Sequence, residues 1–195
     1  MNRKILLLIT FLVEGGLFLF GLLLMGGLGV MLSWFSFSWS ATGYALLLCL
    51  PMFAALFFAM RSEWGPLSRL RTEMDEKVLP IFANCKILDL VVIACLAGTG
   101  EELFFRGWLQ ASLASKFDVF FGILIASVIF GCAHYLSTTY AIYAGLTGLY
   151  LGVIFHLTGN LYIVMAIHAL YDFIALVYLV KKADNQETGI RAIDE

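Results

Sequence analysis

Long apolar runs dominate this sequence, and a chain built in this way cannot fold as a soluble globule. A helix of about 20 apolar residues crosses the hydrocarbon core of a bilayer. Hydrophobic residues make up 62% of the chain, and the mean hydropathy is +0.93, outside the range of soluble domains. The sequence therefore predicts an all-α fold, a polytopic transmembrane helical bundle of about seven membrane helices with its functional site inside the bundle. The seven apolar runs are residues 5–32, 41–60, 80–97, 101–115, 119–135, 140–157 and 161–180.

The sequence indicates a single integral membrane domain over residues 1–195, without repeats. The basic start followed by a long apolar run favours a retained first span over a cleaved signal peptide. Within the domain we distinguish residues 1–60 (two N-terminal spans), 61–79 (a polar loop with a short surface helix), 80–180 (the helices that carry the polar motifs) and 181–195 (a polar tail).

Charge determines the expected orientation and excludes one class of partner. The net charge is −2 and the basic residues are scattered, so no nucleic-acid-binding surface is indicated. Basic residues near the N-terminus and in the loop 61–79 place both in the cytoplasm by the positive-inside rule. Seven crossings would then leave Lys181 and Lys182 outside, against the rule, so we expect one segment not to span. We expect a multi-pass protein of a bacterial inner membrane.

Ionisable residues stand inside the apolar runs, where lipid cannot solvate them. Glu101, Glu102 and Arg106 follow Gly98-Thr99-Gly100. Charged side chains at membrane depth are costly, face the protein interior and mark functional sites. We expect the glycine pair to interrupt the third run, so that a new helix begins with the two glutamates in its first turn.

Helical spacing suggests how these residues are arranged. Glu102 and Arg106 are four residues apart and predict a neutralising pair, which leaves Glu101 free to act as a base. Glu101 lies sixteen residues before Phe117 and His134 seventeen after it, so antiparallel helices would place both at the same depth.

Other polar residues are interpreted in the same way. His168 and Asp172 are again four residues apart in the last run and join the same predicted cavity. Lys86 and Asp89 are interpreted as a structural pair on one helix face. Glu14, alone in the first span, is interpreted as a structural acid that finds a hydrogen bond or stays protonated.

Three short motifs resemble one known family. They are EExxxR at Glu101-Glu102-Leu-Phe-Phe-Arg106, FxxxH at Phe130-Gly-Cys-Ala-His134 and HxxxD at His168-Ala-Leu-Tyr-Asp172. Together, and in this order on membrane helices, they resemble the CPBP family, named for CAAX proteases and bacteriocin-processing proteins. The resemblance covers residues 80–180.

The resemblance implies a glutamate-dependent intramembrane endopeptidase. Glu101 would activate the attacking water, while His134, His168 and Asp172 would orient it and stabilise the oxyanion. Glu102 and Arg106 would brace the site. The family was once described as metalloproteases, and Glu101, His134 and His168 could together hold zinc. We favour a metal-free mechanism without a cofactor, because the chain lacks an HExxH-type pair.

The implied partner is a membrane-associated protein or peptide substrate within the bilayer. Bacterial relatives in the family serve immunity, peptide maturation and removal of sorting segments. An alternative is a non-catalytic immunity or scaffold protein that binds a partner through the same cavity. A proton-coupled transporter is a third reading, which the lack of an inverted repeat disfavours.

Overall fold

The computed structural model describes residues 2–191, apart from the side chains of Leu28 and residues 184–191. Every regular element in this part of the chain is a helix. Residues 192–195 of the predicted tail lie outside the described residues, and the preceding part of the tail continues the last helix. The helices are α1 (Arg3–Leu24), α2 (Leu28–Trp34), α3 (Trp39–Arg61), α4 (Gly65–Phe82), α5 (Ile87–Lys116), α6 (Val119–Ala133), α7 (Thr138–Thr158) and α8 (Leu161–Arg191).

Four of these helices, α1, α3, α7 and α8, are long and apolar enough to cross a membrane. Helices α4 and α5 together qualify as a fifth, with a bend of 109° between them. Helix α6 is apolar but has only 15 residues. The expectation of an all-α polytopic bundle is confirmed, with fewer spans than the seven apolar runs of the sequence.

The predicted interruption at Gly98-Thr99-Gly100 is wrong. Helix α5 continues through all three residues and through Glu101 and Glu102, so two of the predicted segments form one helix. Its hydrogen bonding changes to the wider π-helical pattern at Leu103–Gln110. An interruption at membrane depth would leave backbone groups unsatisfied at a cost of several kcal/mol each. The helix therefore keeps its bonds despite the glycines.

The two glycines serve close packing on two sides of α5. A Cβ on Gly98 would lie 2.7 Å from the backbone nitrogen of Ala169 in α8, and one on Gly100 would lie 2.5 Å from the carbonyl oxygen of Glu14 in α1. Only glycine permits backbones to approach this closely. Helix α5 is therefore the central helix, with α8 on one side and α1 on the other.

An ion pair fixes α1 against the start of α5. Arg3 donates from Nε and Nη2 to the two carboxylate oxygens of Asp89 at 2.5 and 2.6 Å. The predicted side-chain pair of Lys86 and Asp89 is thus wrong, since Asp89 accepts from the backbone N–H of Lys86 and pairs with Arg3. A bidentate guanidinium–carboxylate pair is stronger than a Lys pair on one helix face.

Polar contacts connect α4, the α6–α7 turn and the C-terminal part of α8 at one end of the bundle. Lys182 in α8 pairs with Asp75 in α4 at 2.6 Å, and Lys77 donates to the carbonyl of Leu136. Residues 83–86 connect α4 directly to the start of α5, where Arg3 is bound. Lys182 is thus at the same end as Arg3, as the positive-inside rule requires. Because two of the seven predicted segments form one helix, the predicted topology no longer has an odd number of crossings that would put Lys181 and Lys182 on the opposite side of the membrane from Arg3.

Gly100→Ala tests the packing of α1 on α5. The added methyl would press on the Glu14 backbone, and overpacking of this kind costs about 1–3 kcal/mol. We expect a lower melting temperature in detergent for Gly100→Ala. Gly16→Ala is the matched control, because a Cβ there meets nothing within 4 Å. Equal melting temperatures for the two variants would contradict the close contact.

Candidate active site

A buried ion pair lies at the bottom of the site. Arg106 donates from Nη1 to Oε1 of Glu102 at 2.7 Å and from Nη2 to the carbonyl oxygen of Gly148 in α7 at 2.9 Å. The side chains of Arg106 and Glu102 are 1% and 0% exposed. The pairing expected from their spacing is present, and the π-helical turn that carries Arg106 ties α5 to α7.

A second side chain repeats this contact one turn later. Gln110 donates from Nε2 to the carbonyl oxygen of Gly152 at 2.9 Å. A Cβ on Gly152 would lie 2.8 Å from Oε1 of Gln110, so the glycine gives Gln110 access to the α7 backbone. Gln110 was not among the residues selected from the sequence. Its spacing of four residues from Arg106, matched by that of the two glycines, is the signal that would have found it.

His168 lies among three acids. Its Nδ1 is 2.7 Å from Oε1 of Glu102, and its Nε2 is 3.4 Å from Oδ2 of Asp172 and 4.0 Å from Oε2 of Glu101. Glu102 is paired with Arg106 and so accepts, which means that Nδ1 carries the proton and donates. The bond fixes the ring so that Nε2 points toward Glu101 and Asp172.

A hydrogen bond from Nδ1 also fixes the ring of His134. His134 follows the last residue of α6, and its Nδ1 donates to the carbonyl oxygen of Phe130 at 2.8 Å. The Phe130 ring stacks on the imidazole at 4.4 Å and lies below the Arg106 guanidinium at 4.7 Å. His134 Nε2 is consequently directed to Oε2 of Glu101, at 3.5 Å.

Both imidazoles therefore direct an Nε2 atom at one oxygen of Glu101. That oxygen has no hydrogen-bond partner among the described residues, and its residue is 8% exposed. The 3.5 Å between His134 Nε2 and Glu101 Oε2 is longer than a direct hydrogen bond. A single water molecule beside these two atoms can form a hydrogen bond with each of them. A carboxylate and an imidazole acceptor in this arrangement can orient a water and remove its proton.

The structure thus brings together all six residues selected from the sequence. Glu101, His134, His168 and Asp172 surround one point, and Glu102 and Arg106 lie behind it. Among residues 2–191 with described side chains, no group of three or more His, Cys, Asp or Glu has the geometry to hold a metal.

A cavity of about 280 Å³ opens beside these residues. Its wall includes the acidic and imidazole side chains of Glu14, His134, His168 and Asp172. The remainder is mostly apolar and is contributed by α3, α4, α5 and α8, including Leu56, Met60, Leu70, Met74, Val78, Phe82, Ile93 and Leu176. The helix in the polar segment 61–79 is therefore part of the cavity wall, with Leu70 and Val78 buried.

Some cavity residues were not predicted from the sequence, or were interpreted only as structural. Glu14 was interpreted as a structural acid, yet it lines the cavity. Tyr140 and Tyr143 of α7 also line it, and the Tyr143 hydroxyl is 2.6 Å from that of Tyr171. Tyrosines in an apolar helix carry no spacing signal that separates cavity walls from helix contacts.

Comparison with known sequence families identifies the segment that carries this geometry. Residues 83–174 match the family described as Type II CAAX prenyl endopeptidase Rce1-like. This segment, just under half of the chain, is similar to the CAAX prenyl endopeptidase family. No curated protein and no solved structure matches the chain.

The CAAX prenyl endopeptidase match confirms the resemblance found from the three motifs. All six selected residues lie within it, whereas Glu14 and the α4 part of the cavity wall lie outside it. The match to this family and the long apolar helices together indicate an integral membrane protein.

Proposed function

We propose that this protein hydrolyses a peptide bond of a membrane-associated protein or peptide, with Glu101 as the base that activates water. The observation that carries the proposal is the convergence of the two Nε2 atoms on Oε2 of Glu101, at 3.5 Å from His134 and 4.0 Å from His168. A water bound there donates one hydrogen to the carboxylate. Its oxygen lone pair is then free to attack a carbonyl carbon.

The histidines and Asp172 assist the attack in this proposal. His134 holds the water through Nε2, since its Nδ1 is occupied by Phe130. His168, between Glu102 and Asp172, supplies positive potential at the point where the oxyanion forms. Donors directed at developing charge in a dry site are worth about 10²–10³-fold in rate. Such donors need no reorganisation during the reaction.

Glu102 and Arg106 position the other groups. Because the Glu102 carboxylate accepts from both Arg106 and His168, it orients the imidazole ring and neutralises the guanidinium. Neither side chain needs to touch the substrate. Their role is to keep His168 in one orientation within a low-dielectric interior.

The apolar cavity wall supports a substrate with a hydrophobic segment. Such a segment would lie against Leu56, Leu70 and Met74, with its scissile bond at the polar end near His134. A prenyl group or apolar side chains of the substrate would pack against the same surface. The alternative, a non-catalytic immunity or scaffold protein, would bind such a segment and leave it intact.

A cleavage assay tests the proposal directly. Purified protein in liposomes receives quenched peptides that end in a CAAX sequence, with and without a farnesyl group on the cysteine. We expect repeated turnover, with a new carboxyl terminus detected by mass spectrometry. Binding of these peptides without any cleaved product would favour the scaffold alternative.

Chelation tests the metal-free form of the mechanism. No described group of residues has the geometry to hold a metal, so we expect 1,10-phenanthroline and EDTA to leave the cleavage rate unchanged. The purified protein should contain no stoichiometric zinc by mass spectrometry of its metals. Loss of activity that added zinc restores would contradict this mechanism.

A further inference from the structure

Glu14 is an ionisable residue on the cavity wall that lies outside the family match. It belongs to α1 and lines the cavity together with His134, His168 and Asp172. Its Oε2 is buried and has no hydrogen-bond partner among the described residues. Thr10, one turn earlier on the same face, also lines the cavity. The carboxyl group therefore belongs to the wall that a substrate would contact.

Packing fixes the position of Glu14 relative to the proposed base. The Glu14 backbone lies against Gly100, where an added Cβ would be 2.5 Å from its carbonyl oxygen. Gly100 directly precedes Glu101 in α5. The pair of Arg3 and Asp89 sets the same register three helical turns earlier, eleven residues back in each helix. Two contacts thus hold α1 with Glu14 on the cavity wall, beside the helix that carries Glu101.

Every other carboxyl group of the site has a basic side chain within 4.0 Å, whereas no described residue forms an ion pair with Glu14 or a hydrogen bond with its Oε2. Glu102 is bonded to Arg106 and His168, Asp172 is 3.4 Å from His168, and Glu101 faces two imidazoles. A buried carboxylate without a cation or hydrogen-bond donor is costly, and the neutral acid avoids that cost. Glu14 is consequently suited to give a proton.

We propose that Glu14 is a catalytic acid that protonates the amine leaving group. The inference rests on the proposed function, because peptide hydrolysis needs two proton movements. An amine anion is too basic to leave without a proton, so an acid beside the nitrogen lowers the barrier. Glu101 takes a proton from water, and Glu14 is the neutral acid on the facing helix.

The protons balance over one turnover. Water loses a proton to the Glu101 carboxylate as its oxygen bonds to the carbonyl carbon. The C–N bond breaks as the Glu14 acid gives its proton to nitrogen, which leaves a new carboxyl terminus and a free amine. Transfer of the proton from Glu101 to Glu14, directly or through a water, restores both groups.

Comparison of amide and ester hydrolysis tests this role. The substrates are the CAAX peptide that the wild-type protein cleaves and its depsipeptide, with the scissile amide replaced by an ester. An alkoxide leaves far more readily than an amine anion. We expect Glu14→Gln to lower kcat for the amide by about 10²-fold, with KM unchanged and ester hydrolysis near the wild-type rate. Glu14→Asp, which keeps an acid, should retain more amide cleavage.

The ester also reports whether the variant is folded. Glu63→Gln is the matched control, an exposed glutamate outside the site. An equal loss of amide and ester hydrolysis, or wild-type amide cleavage by Glu14→Gln, would overturn the proposal for Glu14 alone. Amide cleavage that survives in Glu101→Gln would overturn the proposed function and this inference with it.

Discussion

Glu101→Gln should reduce peptide cleavage by about 10²–10⁴-fold, the usual contribution of a positioned general base. Glutamine has nearly the same shape and fills the same space between His134 and His168. It cannot accept the proton of the attacking water. The loss should therefore appear in kcat, with substrate binding retained.

The measurement is the initial rate of peptide cleavage in liposomes, with peptide binding followed in parallel. Glu63→Gln makes the same chemical change at an exposed position and should cleave at the wild-type rate. A biological phenotype that persists in Glu101→Gln would favour the scaffold alternative, because binding needs the cavity but no base.

Arg106→Leu should destabilise the protein by about 3–5 kcal/mol, the cost of removing one partner from a buried ion pair. Arg106 and Glu102 are both almost fully buried. Without the guanidinium, the Glu102 carboxylate keeps only His168 as a partner. The carbonyl oxygen of Gly148 loses its donor as well.

Thermal unfolding in detergent measures this cost, and a double variant separates charge from packing. Glu102→Gln combined with Arg106→Met removes both charges, while the glutamine oxygen can still accept from His168. We expect it to recover much of the lost stability. Arg69→Met, at an exposed site, is the control. If Arg106→Leu has the same melting temperature as the wild-type protein, the ion pair does not stabilise the fold.

Local spacing explains why much of the site could be predicted. Residues four apart on a helix share a face. This spacing alone predicted the contacts of Glu102 with Arg106 and of His168 with Asp172. The similar distances of Glu101 and His134 from Phe117 along the chain predicted that the two residues lie at the same depth. Both rules depend only on helical geometry, which lipid enforces by requiring every backbone bond to be made.

Contacts between distant helices could not be predicted in this way. Gly98 and Gly100 suggested a break, whereas they allow α8 and α1 to approach α5. Arg3, 86 residues away, displaced Lys86 as the partner of Asp89. Glu14 appeared structural because its role depends on which helix lies against α1. A sequence pattern does not contain that information.

The short helix α6 has a consequence for how water enters. Its 15 residues rise about 22 Å, several ångströms less than the hydrocarbon thickness of an average bilayer. Lipids beside a short apolar segment thin to match it. His134 follows the last residue of α6, and its side chain is 28% exposed. We therefore expect the headgroup region to dip toward the histidine, which would give the water of the proposed hydrolysis its shortest path from the aqueous phase on this side.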